Sequence, residues 1–424
     1  MLIQFSVENF LSYKSKTTLS LLPSKDQENL NNVIYGEKYN GLKSIAVYGA
    51  NASGKTNLFK ALTAAIMAIR NSNSLQINDR IPSIMPFKFD TKMQGKPSKF
   101  EFIFLCNGVK YIYGFAATPV EVIEEYLYYY SSSKPSLIFD RHNTVEYKFP
   151  PNKNKLLSDI SKRNTNNKLF LSTATSWNYE KTKDAYMWFS ESINTFEGYT
   201  GFENIVFDRL EKDLDGSLKN FTSKVLKESD TNISDFTFET EPISPDLFAT
   251  LPKEVVKLIN ENFENVPGKQ VKITTGHDIF DRNGDARNFK LDLAEESLGT
   301  QHLFYLSTIL KSAFEKGETI IIDEIDSSLH PLLVNFIVGL FHNPEENRNN
   351  AQLIFSTHDT NLLSLDVFRR DQIYFAEKNS RTGESELYSL DEFPVRKTEN
   401  IRIGYLQGRY GAIPFLGNGT GLWD

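Results

Sequence analysis

The chain has 424 residues, more than the roughly 250–300 that one hydrophobic core holds, so we expect two domains or one fold with a large insertion. Its 40% hydrophobic and 24% charged residues exclude a disordered tail protein and a membrane bundle. The net charge of −7 argues against a dedicated nucleic-acid coat protein, and the single cysteine, Cys106, excludes an intrachain disulfide or a zinc pair. The start carries no export signal, so we expect a cytoplasmic protein without membrane contact.

The first 150 residues predict strands around one buried helix. Apolar and polar residues alternate from Leu2 until the pattern breaks at Ser12, which predicts a strand and a turn. Ser44–Tyr48 predicts a short apolar strand, and Asn57–Arg70 predicts a buried helix. Four β-rich runs between residues 97 and 150 predict antiparallel strands with polar turns between them.

The middle of the chain changes character, because clusters of Lys, Asn and Ser alternate with amphipathic stretches from residue 151 to residue 268. The stretches are Asp184–Phe196, Leu218–Lys227 and Pro252–Phe263. No heptad pattern is sustained, so a long coiled coil is not expected. We predict a mainly helical insert over 151–268.

An alternation of helices and strands resumes after residue 269, and it predicts a mostly parallel sheet with both faces covered. The predicted elements are a helix at Ser297–Lys316, a strand at Glu318–Ile325, a helix at Leu332–His342, strands at Gln352–Ser356, Gln372–Ala376 and Glu386–Leu390, and a helix near Arg396–Leu406. We therefore predict an N-terminal lobe over 1–150, the insert over 151–268 and a C-terminal lobe over 269–424.

The strongest motif is a G-x-x-x-x-G-K-[ST] sequence between the strand Ser44–Tyr48 and the helix that follows it. Glycines there let backbone amides surround phosphate oxygens at a helix N-terminus. We expect Lys55 to bridge the β- and γ-phosphates of ATP, and Thr56 to offer its hydroxyl to Mg²⁺. The predicted nucleotide-binding residues are Gly49, Ala50, Asn51, Ala52, Ser53, Gly54, Lys55, Thr56 and Asn57.

A second motif, Thr319–Glu324, is an apolar strand that ends in two acids. Such a strand projects its carboxylates beside a phosphate loop in an open α/β sheet. We expect Asp323 to bind Mg²⁺ together with Thr56, and Glu324 to orient and deprotonate the attacking water. The pair of motifs predicts an ATPase.

Two further sequence features indicate the type of ATPase. Ser297, Gly299, Thr300 and Gln301 open a predicted helix and form an S-x-G-x-Q pattern suited to an anion. His358 ends the strand after the acidic one, and its imidazole could donate a hydrogen bond to a γ-phosphate oxygen. We therefore expect Lys55, Glu324 and His358 to be the catalytic residues.

The order of these motifs resembles the ABC-type ATPase heads of the SMC, RecF and OLD group, and most closely AAA-family ATPases of bacterial anti-phage and abortive-infection systems. Phe5–Tyr13 is similar to that group's first strand, Glu296–Phe304 resembles its degenerate signature and Asp326–Pro331 resembles its D-loop. Arg402–Phe415 resembles the C-terminal block of AbiL-type ATPases encoded beside RloB-like proteins. The resemblance implies a P-loop NTPase of ABC-head type, with a mostly parallel sheet, an antiparallel β lobe and a largely helical insertion.

The resemblance also implies a head-to-head homodimer, in which the signature of one protomer closes over the nucleotide of the other. Ser297, Gly299, Thr300 and Gln301 would then act in trans, beside the D-loop residues Ser327 and Ser328. No Q-loop equivalent is assigned, although Pro86–Phe89 lies in the corresponding part of the sequence.

Three functions compete at this stage. The first is an ATP-driven switch in phage defence that controls a separate effector, such as an RloB-like, Toprim or HNH nuclease, because we expect no nuclease domain in the segment after His358. The second is a RecF- or SMC-like DNA-binding ATPase of repair or recombination, for which the lysine-rich stretch Lys153–Lys168 is the basic candidate. The third is a transporter ATPase subunit, which the wide spacing of Lys55 and Asp323 argues against.

Overall fold

The computed structural model describes residues 1–151, 154–197, 202–229, 231–242, 269–280 and 286–414. The chain divides into two compact units, Met1–Gly198 with Ser312–Asp424, and Tyr199–Lys311. The strands are β1 Leu2–Glu8, β2 Thr17–Ser20, β3 Val33–Ile34, β4 Gly41–Leu42, β5 Ser44–Tyr48, β6 Ser98–Cys106, β7 Val109–Ala117, β8 Val122–Tyr130, β9 Ser136–His142, β10 Glu146–Lys148, β11 Ile193–Glu197, β12 Ile233–Pro242, β13 Lys269–Phe280, β14 Ala286–Asp292, β15 Thr319–Asp323, β16 Gln352–Ser356, β17 Ile373–Lys378 and β18 Ser385–Ser389. The helices are α1 Lys55–Asn71, α2 Thr91–Gln94, α3 Asn154–Ser161, α4 Phe170–Ser176, α5 Glu180–Met187, α6 Phe202–Glu211, α7 Ser217–Glu228, α8 Leu298–Lys316, α9 Pro331–His342 and α10 Ile401–Leu406.

A six-stranded sheet in the order β11-β15-β16-β5-β17-β18 forms the centre of the first unit. The pairs β11–β15, β15–β16, β16–β5 and β5–β17 are parallel, and the edge strand β18 is antiparallel. Every residue of β5, β15 and β16 is buried, which explains the apolar run that each strand contains. The predicted mostly parallel sheet is confirmed.

The predicted antiparallel lobe is also confirmed, as a seven-stranded sheet in the order β10-β9-β8-β7-β6-β1-β2. Helix α1 shares one hydrophobic core with both sheets, through Leu62 on the helix, Phe102 in β6 and Ile354 in β16. The buried side-chain amide of Gln352 also joins the two sheets, because it accepts a hydrogen bond from the Leu2 amide (2.6 Å) and donates to the Leu2 carbonyl (3.0 Å).

Residues 154–197 were predicted to be part of the insert, but they belong to the first unit. Strand β11, which we expected to be helical, pairs in parallel with β15 and extends the central sheet. At the start of α4, the amides of Phe170 and Leu171 donate to the buried carboxylate of Glu125 in β8, at 2.5 and 2.8 Å. Trp188 stacks on Phe104 of β6 with ring centroids 4.1 Å apart. Apolar burial therefore draws this segment into the main core.

The second unit contains α6, α7 and a three-stranded antiparallel sheet in the order β12-β13-β14. Phe236 of β12 packs edge-to-face on Phe304 of α8, with centroids 4.9 Å apart. The predicted helix at Leu218–Lys227 lies within α7, whereas the predicted helix at Pro252–Phe263 lies outside the described residues. Helices thus share this unit with a sheet that we did not predict, and the unit contains Ser297–Gln301, which we had assigned to the C-terminal lobe.

Candidate functional site

The loop between β5 and α1 has a backbone that only small residues tolerate. Gly49 and Gly54 have φ angles of +151° and +114°, and Ala52 has a φ of +63°. A Cβ atom on Gly49 would lie 2.4 Å from the Ala376 carbonyl oxygen, and one on Gly54 would lie 2.4 Å from Ser385 Oγ. Positive φ and close packing therefore both require glycine at these two positions.

Residues distant in sequence brace this loop. The buried Tyr13 hydroxyl donates to the Gly54 carbonyl at 3.1 Å. The Ser385 hydroxyl lies 2.8 Å from both the Ser53 carbonyl and Ser12 Oγ, and Asn57 Nδ2 donates to Ser12 Oγ at 2.8 Å. The turn after β1 and the start of β18 thereby fix the backbone of the loop through hydrogen bonds.

Lys55 lies at the first position of α1 and is 5% exposed. Its ammonium group donates to the carbonyl oxygens of Gly49 (2.7 Å) and Ala50 (3.2 Å). Burial lowers the pKa of Lys55, and the nearby carboxylates of Asp323 and Glu324 oppose that decrease. The carboxylates of the acidic strand thus favour the charged form of the Lys55 side chain.

Ser356 joins the ends of the two neighbouring strands β15 and β16. Its hydroxyl donates to Asp323 Oδ1 at 2.5 Å and accepts a hydrogen bond from the Glu324 amide at 2.7 Å. Asp323 is 6% exposed, whereas Glu324 is exposed and has a φ of +55°. Asp323 is thus fixed in the sheet, while Glu324 projects from it towards solvent.

His358 follows β16 and is exposed. Its amide donates to Asp326 Oδ2 at 3.0 Å, which ties it to the turn after the acidic strand. In the same turn, Ser327 and Ser328 are exposed, and Ser328 has a φ of +65°. Parallel pairing places the carboxyl ends of β5, β15 and β16 at one edge of the sheet, so the loop, both acids and His358 converge there.

A cavity of about 770 Å³ opens over the loop, within the range of small-ligand sites. Its lining combines the loop, the residues after β16, the end of β17 and the C-terminal segment: Tyr48, Gly49, Ala50, Asn51, Ala52, Ser53, Thr357, His358, Thr360, Glu377, Lys378, Ser380, Tyr405, Leu406, Ala412, Ile413 and Pro414. The described part of the C-terminal block therefore forms one wall of this cavity, and Phe415 lies outside the described residues.

Buried polar atoms without a partner concentrate at this edge of the sheet. Among the described residues, four of the seven such side-chain atoms belong to Tyr48, Ser53, Asp326 and Asp359. Unsatisfied buried groups of this kind are characteristic of ligand or ion sites. Oxygen donors from Thr56 and Asp323 suit Mg²⁺, which keeps several waters and takes one or two carboxylates beside substrate phosphates.

The signature residues lie in the second unit. Ser297 is exposed, and its Oγ accepts a hydrogen bond from the Thr300 amide at 3.2 Å, which caps α8. The Ser297 carbonyl accepts from the Gln301 amide at 3.0 Å. Gly299 follows the exposed Leu298 in the first turn of the helix.

Sequence reasoning named the loop, the acids and His358, but it missed the residues that hold them. Ser356 is the last residue of the strand that we predicted before His358, and Ser385 directly precedes the strand that we predicted at Glu386–Leu390. Tyr13 was placed in the opening segment only by resemblance. Each of these residues acts through a contact between distant parts of the chain, which no local pattern contains.

A family model described as "AAA domain, putative AbiEii toxin, Type IV TA system" matches residues 44–364. No curated protein sequence matches the chain. Among solved structures, similar ones include the SMC head domain from Thermotoga maritima (13% identity, TM-score 0.40, 92% of this chain and 98% of that chain). The Smc head domain with a coiled coil and joint from Pyrococcus yayanosii is also similar (10% identity, TM-score 0.43, 96% and 99%). No helix within the described residues is long and apolar enough to cross a membrane.

Proposed function

Because this chain belongs to the AAA domain family whose model matches residues 44–364, we propose that it binds and hydrolyses ATP in a Mg²⁺-dependent manner. The observation that carries the proposal is the convergence of Lys55, Asp323 and Glu324 at one edge of the central sheet, where the parallel strands β5, β16 and β15 end. A glycine-bounded loop beside a cavity provides the place for the phosphates.

Each converging residue has a role in this reaction. Lys55 exchanges its hydrogen bonds with the Gly49 and Ala50 carbonyls for contacts with the β- and γ-phosphates. Glu324, exposed and aimed away from the sheet, orients the attacking water and accepts its proton. His358 donates a hydrogen bond to the γ-phosphate and thereby distinguishes ATP from ADP. Thr56 and Asp323 would hold Mg²⁺, which would neutralise charge on the phosphates.

We further propose that the active form is a head-to-head homodimer. Ser297, Gly299, Thr300 and Gln301 of one protomer close over the nucleotide of the other, and Ser327 and Ser328 lie at the same junction. The exposed Ser297 hydroxyl and the exposed neighbour Leu298 are available for such a contact. In this arrangement hydrolysis takes place only when two protomers are associated, because each site needs the signature of the other protomer.

The biological role that we propose is that of a cytoplasmic switch in a bacterial anti-phage, abortive-infection-like system. The family description refers to a toxin of a type IV toxin–antitoxin system, and the C-terminal block resembles AbiL-type ATPases. The ATPase would sense infection and control a separate effector of the RloB-like, Toprim or HNH nuclease type. Identification of the neighbouring reading frame tests the effector class directly.

The ATPase proposal is tested with Lys55→Ala and Glu324→Gln variants, and with Lys60→Ala on the same helix as the control. Loss of charge stabilisation or of the base should reduce hydrolysis by about 10²–10⁴-fold, because both act on charge in the transition state. The control should retain wild-type hydrolysis. Wild-type rates in either site variant would overturn the assigned mechanism.

Action in trans is tested by mixing Lys55→Ala protein with Ser297→Arg protein. One of the two composite sites in the heterodimer then contains an intact loop and an intact signature, so activity should recover above both parents. Mixtures that never exceed the parents would contradict the trans arrangement. DNA affinity that falls steeply with salt would instead favour the RecF- or SMC-like function.

A further inference from the structure

A buried polar cluster lies directly before the signature in the second unit. The Glu296 carboxylate accepts a hydrogen bond from Thr275 Oγ1 at 2.5 Å, and the same oxygen lies 2.7 Å from His277 Nε2. The side chains of His277 and Glu296 are only 11% and 10% exposed, and Thr275 is fully buried. Strand β13 therefore holds Glu296 through two side chains that lie two residues apart on one face.

Glu296 is also attached to the signature itself. It directly precedes Ser297, and its carbonyl oxygen accepts a hydrogen bond from Gln301 Nε2 at 2.8 Å. Ser297 and Leu298, by contrast, are exposed, and Ser297 makes local hydrogen bonds to Thr300 and Gln301. The orientation of the motif is thus set from its N-terminal side, through Glu296.

Stability alone gives a weak reason for this arrangement. A largely buried carboxylate paired with a histidine costs desolvation, and apolar residues of similar size commonly replace such pairs without loss of stability. A hydrogen-bonded pair does, however, fix direction and distance in a way that apolar packing does not. The cluster therefore suits a role in which the position of the following residue matters.

We propose that His277 and Thr275 are positioning residues for ATP hydrolysis, which hold the signature of one protomer in the orientation that engages the nucleotide of the other. The inference rests on the proposed trans arrangement and deepens it. Strand β13 then has a direct mechanical connection to catalysis, whereas the phosphate loop has its own hydrogen bonds to Tyr13 and Ser385.

The test uses three variants of the full chain. His277→Leu removes the hydrogen bond to Glu296, and His277→Gln keeps a side-chain donor. Asp278→Asn is the matched control, because Asp278 is the exposed neighbour on the other face of β13 and contacts Asn288 at 2.9 Å. The measurements are ATP hydrolysis, the affinity of a fluorescent ATP analogue, and hydrogen exchange of the Thr300 and Gln301 amides without nucleotide.

We expect His277→Leu to reduce hydrolysis by about 10- to 100-fold, since a small displacement of a positioned group costs that much. Its affinity for the analogue should change less than about twofold, and exchange at Thr300 and Gln301 should become at least about tenfold faster, because these amides bond to Ser297. His277→Gln should retain most of the activity, and Asp278→Asn should retain all of it.

Mixing experiments assign the defect to one half of the composite site. His277→Leu protein should recover activity with Lys55→Ala protein but not with Ser297→Arg protein. The opposite pairing, or wild-type hydrolysis together with wild-type exchange in His277→Leu, would overturn the inference. Should His277→Leu fail to fold, Thr275→Val is judged by the same measurements. A wild-type protein that hydrolyses no ATP would refute the proposed function, while the exchange data would still judge the positioning role.

Discussion

The hydroxyl of Ser356 donates a hydrogen bond of 2.5 Å to the Asp323 carboxylate, and so joins the ends of two adjacent parallel strands. The same hydroxyl accepts the Glu324 amide at 2.7 Å. One buried side chain therefore holds the carboxylate of Asp323 and the backbone of Glu324 at the end of β15.

We predict that Ser356→Ala lowers the turnover of ATP by about 10- to 100-fold, because the Asp323 carboxylate and the Glu324 backbone both lose the contact that holds them in place. Nucleotide affinity should change little, since the phosphate loop keeps its own contacts. Steady-state kinetics that separate kcat from KM provide the measurement. Ser74→Ala, at an exposed position after α1, is the control. A rise in KM with unchanged kcat would contradict this role.

Tyr13→Phe tests the brace on the phosphate loop. The variant removes the buried hydroxyl that donates to the Gly54 carbonyl, at a cost of about 1 kcal/mol. Because the loop loses a fixed contact, we expect ATP affinity to weaken by about 3- to 10-fold, and calorimetric titration measures it. The exposed Tyr35→Phe should bind ATP as the wild type does. Equal affinities in Tyr13→Phe and wild type would show that the brace does not influence binding.

The buried pair of Glu125 and Arg141 should dominate the attachment of α4 to the antiparallel lobe. Their side chains are 0% and 1% exposed, with 3.7 Å between Nη1 and Oε2. Arg141→Met leaves the carboxylate buried without its cation, so we expect a loss of about 3–5 kcal/mol in the free energy of unfolding. Denaturant titration measures this loss. The exposed ion pair of Asp159 and Lys162 supplies the comparison, since Asp159→Asn should cost less than about 1 kcal/mol.

His342 predicts the response of stability to acid. Burial, with a smaller contribution from Lys43, lowers the pKa of His342 from 6.5 to about 3. The folded protein thus keeps the imidazole neutral, beside Ser44 Oγ at 2.8 Å, while the unfolded chain binds a proton below pH 6.5. The unfolding free energy should therefore decrease as the pH falls from 6.5 towards 3, by about 2–3 kcal/mol at pH 4.5.

The measurement for His342 is denaturant unfolding at pH 7 and pH 4.5, in the wild type and in His342→Gln. The variant should be less stable at pH 7, but its stability should decrease less between the two pH values, because it lacks the titrating group. Identical decreases in both proteins would exclude His342 as the source.

Local sequence patterns predicted much of the fold. Ser44–Tyr48 and Gln352–Ser356 were predicted with their observed bounds, because each contains an apolar run typical of a buried parallel strand. The strand state of Ile193–Glu197 was not predicted, since pairing with β15 and not local propensity determines it. The alternation of Val271, Ile273 and Thr275 does carry a period-two signal for β13, so that sheet was accessible to sequence reasoning.

The residues of the candidate site likewise fall into those that local sequence patterns predict and those that they do not. The loop is one continuous sequence motif and the two acids belong to another. The residue types within each motif indicate its chemistry. Ser356 and Ser385 act only through tertiary contacts. The sequence alone therefore does not distinguish them from other serines until the strand order is known. His277 likewise acquires a role only through its contact with Glu296, nineteen residues later.

The position of β5 between β16 and β17 has a consequence for biosynthesis. Both neighbours of this strand follow it by about 300 residues, so the ribosome has made most of the chain before the sheet around the phosphate loop can close. Such non-local pairing slows folding and leaves strand edges exposed in the meantime. The proposed nucleotide site is therefore assembled late, and a truncated translation product that ends before β16 cannot complete it.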